Sequence, residues 1–129
     1  VPGLKLVFDT GNPVFTDDRS LPPPYPKQSA WTFYSHVREQ VAYVHIKDGN
    51  WDPALQKAVY TWPGEGQGDV KRIVADLMAR GYDGGISMEP HLAVVHHDAS
   101  VQSPAEIRYR NYVTYGRRFE ALLASCRAG

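Results

Sequence analysis

The chain has 129 residues, 43% of them hydrophobic and 22% charged, with 14 Lys and Arg balanced by 14 Asp and Glu. That is the size and composition of one soluble domain able to bury a core, not of a disordered segment. Zero net charge argues against a broad basic surface for nucleic acid or an acidic membrane, and no apolar run approaches the roughly 20 residues that span a bilayer.

Leu4-Lys5-Leu6-Val7-Phe8 reads as a buried strand ending at Asp9, followed by the turn residues Thr10-Gly11-Asn12-Pro13. Residues 13–30 hold five of the ten prolines, including Pro22-Pro23-Pro24. Proline fixes φ and lacks an N–H, so a stiff loop is expected there. From Ser29 the period becomes helical, with Ala30, Phe33, Tyr34, Val37 and Val41 on one face. A second strand, Val41–Ile46, runs into Lys47-Asp48-Gly49, and a loop from Gly49 to Gly68 carries Trp51, Trp62 and Pro63-Gly64-Glu65-Gly66-Gln67-Gly68.

Asp69 is placed to cap the next helix with its side chain. Val70, Ile73, Val74, Leu77 and Met78 form that helix's apolar stripe, and Gly81 stops it. Gly84–Glu89 is a third strand, ended by Pro90. After a loop from His91 to Val101, Ser103-Pro104-Ala105-Glu106 opens a last helix that runs to about Cys126. Ile107, Tyr115, Phe119, Leu122 and Leu123 are its core candidates. Cys126 is the single cysteine and cannot form an internal disulfide. It reads as a semi-buried thiol, and a reducing, cytoplasmic setting is expected. No signal peptide is expected either, since Val1-Pro2-Gly3 leads directly into a strand-like segment.

The order β-α-β-α-β-α implies an α/β fold with parallel strands and crossover helices. Three such units leave both sheet edges bare. Residues 1–129 are therefore expected to form a single partial domain of a larger structure, either a doubly wound sheet or a (β/α)8 barrel.

Each strand ends in a residue able to hold a metal: Asp9, His45 and Glu89. In parallel α/β proteins the functional face lies at the C-terminal ends of the strands. If the strands are adjacent, the three side chains converge. Two carboxylates and one imidazole suit a divalent ion such as Mn²⁺, Mg²⁺, Co²⁺ or Zn²⁺. Taken singly, Asp9 could cap its turn, His45 could be a hydrogen-bonded strand-end histidine, and Glu89 could pair with a cation. Recurrence at the same position of three successive units favours one shared site.

Four segments in order, Asp9-Thr10-Gly11-Asn12-Pro13, Val44-His45-Ile46-Lys47-Asp48, Pro63-Gly64-Glu65-Gly66-Gln67-Gly68-Asp69-Val70 and Ser87-Met88-Glu89-Pro90-His91, resemble the sugar phosphate isomerase/epimerase family. That resemblance implies the xylose-isomerase-like TIM-barrel fold, with this chain as its C-terminal β-α-β-α-β-α portion. It also implies four metal ligands, Glu, Asp, His and Glu, on successive late strands. Asp9, His45 and Glu89 match the last three. The first Glu would lie on a strand before Val1, in an upstream half of the barrel from the same gene product or a second chain. Many epimerases of the family carry a substrate-contacting His where Asn12 stands, and some members carry an Arg where Asp48 and Gly49 stand. An anionic substrate is thus not indicated from the latter position.

The chemistry implied is divalent-metal-dependent isomerisation or epimerisation of a sugar or polyol. The ion stabilises an enediolate as a Lewis acid, and a carboxylate moves the proton. Glu89 is the catalytic acid/base available here, and the isolated chain is expected to be inactive or nearly so. Asn12, Lys47, Asp48 and His91 are the candidate substrate-binding residues, with His91 able to reach substrate or metal-held water. His96 and His97 fall in the loop over the same face, and Trp51 and Trp62 could wall a sugar or pack in the core. The glycines at 64, 66 and 68 lack the Lys-Ser/Thr ending of a phosphate loop and are read as letting the loop turn into the helix at Asp69. Competing readings are a metal-dependent dehydratase or lyase acting on a polyol or keto-inositol, an abasic-site-endonuclease-like hydrolase, and a non-catalytic interaction module. The first would lose water. The second needs more His ligands and a basic surface, which Asn12 and the zero charge disfavour. A homo-oligomer is possible, and neither a nucleic-acid nor a membrane partner is expected.

Overall fold

The computed structural model describes residues 1–92 and 104–128. Its elements in chain order are β1 (Leu6–Asp9), α1 (Asn12–Phe15), α2 (Ala30–Val37), a 3₁₀ turn (Arg38–Gln40), β2 (Val41–Ile46), β3 (Gly49–Asp52), β4 (Lys57–Tyr60), α3 (Val70–Ala79), β5 (Gly85–Met88) and α4 (Pro104–Arg127). β1, β2 and β5 form a three-stranded parallel sheet with β2 in the middle. Among the described residues no helix is long and apolar enough to cross a membrane.

Strand alternation sorts the sheet into two faces. Phe8, Val44 and Ile46 are buried against the helices. There they meet Tyr34 of α2, whose ring stands edge-on to Phe8 at 5.4 Å, and a core shared with Val70, Ile73, Val74 and Leu77 of α3 and Tyr115 and Phe119 of α4. The stripe expected on α3 is thus the stripe that packs. The other face bears Val7 and Tyr43, paired in register and 62% and 38% exposed.

Several local details differ from the sequence expectation. β1 begins at Leu6, not Leu4, which is exposed. A short helix, α1, replaces part of the expected proline-rich loop, with Pro13 in its first turn where no N–H is needed. The expected loop 49–68 contains an antiparallel hairpin, β3–β4. Asp69 sits at the N-terminal boundary of α3 in the left-handed region (φ +50°) without a side-chain cap. Its carboxylate accepts instead from the Trp31 N–H at 3.2 Å, satisfying a free donor in the first turn of α2 and tying α2 to α3. The cap expected from Ser103 lies outside the described residues.

The loop after β4 is organised by Asp48. This side chain is buried at 1% exposure, and its two oxygens accept from the N–H groups of Gly49, Gly64, Gly66 and Gly68 at 2.8–3.1 Å. Glycine is required where the backbone closes on the carboxylate. A Cβ on Gly66 would stand 2.4 Å from Asp48 Oδ1 and 2.6 Å from the Gly49 nitrogen. Burial pushes the Asp48 carboxyl upward against the pull of its four amide donors. Gly66→Ala should therefore destabilise the chain by about 2 kcal/mol, within the usual range for an overpacked site, measured as a lowered urea midpoint at unchanged m-value. An unchanged midpoint would show that the clamp is slack.

Candidate metal centre

The parallel register decides which side chains meet. Asp9 pairs directly with His45, and His45 with Ser87. The Glu89 N–H donates to the Ile46 carbonyl, so the pairing continues one step beyond β5 and brings Glu89 round to the face of Ser87. Asp9, His45 and Glu89 each offer one ligand atom, and the three atoms lie within 4.8 Å of one another.

Each carboxylate divides its two oxygens. Asp9 Oδ1 accepts from the Gly11 and Asn12 N–H groups at 2.8 and 2.9 Å. This fixes the turn after β1 and leaves Oδ2 turned to the centre, 4.0 Å from His45 Nδ1. Glu89 Oε1 is 3.0 Å from His91 Nε2, while Oε2 is 3.7 Å from His45 Nδ1. The His91 hydrogen bond, with the Lys47 ammonium beside it, holds the Glu89 carboxyl down at about 2 against the opposing effect of desolvation. At neutral pH Glu89 is thus the anion, the form that ligates a cation.

Lys47 completes the cluster. Its side chain is 9% exposed, and its ammonium stands 3.2 Å from Asp9 Oδ2 and 3.3 Å from Glu89 Oε2. Thr10 locks the backbone below it. The Thr10 hydroxyl donates to the Lys47 carbonyl at 2.6 Å and accepts from the Lys47 N–H at 3.0 Å. Thr10 is itself fully buried at the turn after β1.

No family model matches the chain, and no curated protein or solved structure matches it either.

The geometry therefore stands on its own chemistry. One imidazole nitrogen and two carboxylate oxygens, each with its sister oxygen already held, form a donor set that fits a divalent ion. Of the substrate-binding candidates, Lys47 and His91 belong to the cluster. Asn12 is exposed at the start of α1 beside it, its N–H held by Asp9. Asp48 requires correction, because its carboxylate is enclosed by glycine amides and turned into the loop rather than toward a substrate. His96 and His97 lie outside the described residues. Trp62 packs on the core beside Tyr115 with Arg118 over its ring, and Trp51 lies under Lys27 at 3.8 Å.

Two further residues contribute at the centre, Thr10 and Tyr60. Thr10 looked like an ordinary turn residue. Tyr60, on β4, stacks on His91 with ring centroids 5.0 Å apart, so the hairpin reaches the centre through the partner of Glu89. The apolar and aromatic residues of Lys57-Ala58-Val59-Tyr60 were the available signal for that strand. Thr10→Val should cost about 2 kcal/mol, since it orphans a buried N–H and removes a donor to a buried carbonyl. Urea unfolding reads the loss, and a cost under about 0.5 kcal/mol would mean that the hydroxyl does not hold Lys47 in place.

Proposed function

We propose that this chain is part of a divalent-metal-dependent sugar isomerase or epimerase, with Asp9, His45 and Glu89 holding the ion. The observation that carries the reading is the convergence of these three ligands at the C-terminal ends of three adjacent parallel strands. When bound, the ion supplies Lewis-acid polarisation of a substrate oxygen.

The residues of the chain do the rest. Glu89, anionic at neutral pH, accepts the proton from the carbon next to the substrate carbonyl and returns it to the neighbouring carbon or the opposite face. His91 holds the other Glu89 oxygen and so fixes the direction in which the carboxylate works. Lys47, His91 and Asn12 border the space where substrate hydroxyls bind.

The same reading takes residues 1–129 as the last three βα units of a (β/α)8 barrel. Two features support it. Asp9 and His45 share a sheet face with Val7 and Tyr43, apolar residues that are exposed. Among the described residues β1 and β5 also each pair with a strand on one side only. A fourth ligand from a preceding strand would then complete the centre.

The test is proton exchange. In D2O with Mn²⁺ or Co²⁺, the protein expressed together with the preceding barrel units should place deuterium next to the carbonyl of at least one aldose or ketose in a panel read by NMR. Glu89→Gln should reduce that exchange at least ~100-fold. The 129-residue chain alone should show little or none. Products lacking one water would shift the assignment to a dehydratase, and full exchange by the isolated chain would defeat the partial-barrel reading.

A further inference from the structure

The most unusual side chain at the centre is a cation. Lys47 is a strand-end lysine, yet it is nine-tenths buried and cannot sway like a surface lysine. Its stem lies across Gly11, where an added Cβ would stand 2.8 Å from Lys47 Cγ, and its backbone is pinned by Thr10. The ammonium therefore reaches one place, between Asp9 Oδ2 and Glu89 Oε2. Those oxygens are also the ones left to an ion, because Asp9 Oδ1 and Glu89 Oε1 are already engaged. No other Lys or Arg makes an ion pair with either carboxylate among the described residues.

We propose that Lys47 is a built-in counter-cation that sets the metal affinity of the centre and makes it discriminate by charge. The proposal rests on the metal-centre reading and adds a residue that opposes the ion it describes. A tethered ammonium competes at a high effective concentration. A monovalent cation brings one charge to a pair of carboxylates already half neutralised by the ammonium, and gains little. A divalent ion brings two, and it meets both carboxylates at short range in a site of reduced dielectric. It binds nonetheless against the repulsion of an ammonium that cannot retreat far. The two carboxylates contribute two negative charges and Lys47 returns one, so the centre presents a smaller net attraction than its ligand set alone would give.

A merely structural role predicts the opposite sign, because loss of a supporting contact weakens binding. Titration of the protein with Mn²⁺, followed by calorimetry and by the electron paramagnetic resonance of free Mn²⁺, separates the two. Lys47→Met, which keeps the stem and removes the charge, should bind Mn²⁺ at least tenfold more tightly than wild type. Lys47→Arg, which keeps the charge, should stay within about threefold of wild type. Should the Met variant fail to fold, wild type labelled with ¹³Cε-lysine provides the second measurement. Substoichiometric Mn²⁺ should broaden the Lys47 resonance before those of Lys5, Lys27, Lys57 and Lys71. Equal or weaker Mn²⁺ binding by the folded Met variant, or a Lys47 resonance untouched while Mn²⁺ binds, would overturn the proposal and leave the metal centre intact. Binding by the Met variant alone would support it. Failure of wild type and variant alike to bind Mn²⁺ would remove both the metal centre and the role assigned to Lys47.

Discussion

The centre depends on the parallel pairing of β2 with β1 on one side and β5 on the other. Side chains alternate along a strand, so a slip of one residue in either pairing would turn a ligand from the open face to the helix-covered face. The observed register sets Asp9 opposite His45 and Ser87 beside it, with Glu89 next along the same face. The buried face holds that register in place. Phe8, Val44 and Ile46 sit against α2, α3 and α4, and a one-residue slip toward the strand ends would put Asp9, His45 and Lys47 in their places. The chemistry on one face is thus fixed by the packing on the other.

At this centre, structural and functional uses of a residue are complementary. Asp9 caps the turn after β1 and also supplies a ligand atom, because a carboxylate has two oxygens and the turn needs only one. Glu89 divides its oxygens in the same way between His91 and the cluster. Fixing one oxygen orients the other, so less rotamer freedom is lost when a ligand binds. Thr10 extends the arrangement by clasping both backbone groups of Lys47 across the β1–β2 pair, which links the turn that aims Asp9 to the residue that faces it.

Features set by a strong local period or by a strand end were legible in the sequence. The α3 stripe, the strand at 41–46 and the strand-end residues Asp9, His45 and Glu89 all belong to that class: the structure packs the stripe, forms the strand and brings the three side chains together. The hairpin β3–β4 was hidden because its strands are only four residues long and carry mixed side chains such as Asn50, Asp52 and Lys57, which leave the pattern of Lys57-Ala58-Val59-Tyr60 weak. Asp48 and Asp69 depart from the sequence expectation for a shared reason. A carboxylate next to a loop or helix start suggests a solvent-facing or local role, whereas both act over distance. Asp48 gathers glycine amides up to 20 residues away, and Asp69 reaches a helix 38 residues back in the chain. The regular spacing of Gly64, Gly66 and Gly68 was visible, but the carboxylate it encloses was not.

The contrast between the two sheet faces bears on how the centre would work. Val7, lying two residues before Asp9 on the same face, is 62% exposed, and its cross-strand partner Tyr43 is 38% exposed. Apolar side chains on a strand contribute through burial, at about 25 cal/mol per Å², and at these exposures Val7 and Tyr43 make little of that contribution. Covering this face would also take water away from the neighbouring His45 and Glu89, whose side chains are 39% and 42% exposed. Electrostatic interactions strengthen as water leaves. The attraction of the two carboxylates for a divalent ion and the opposition of the enclosed Lys47 ammonium would therefore grow together.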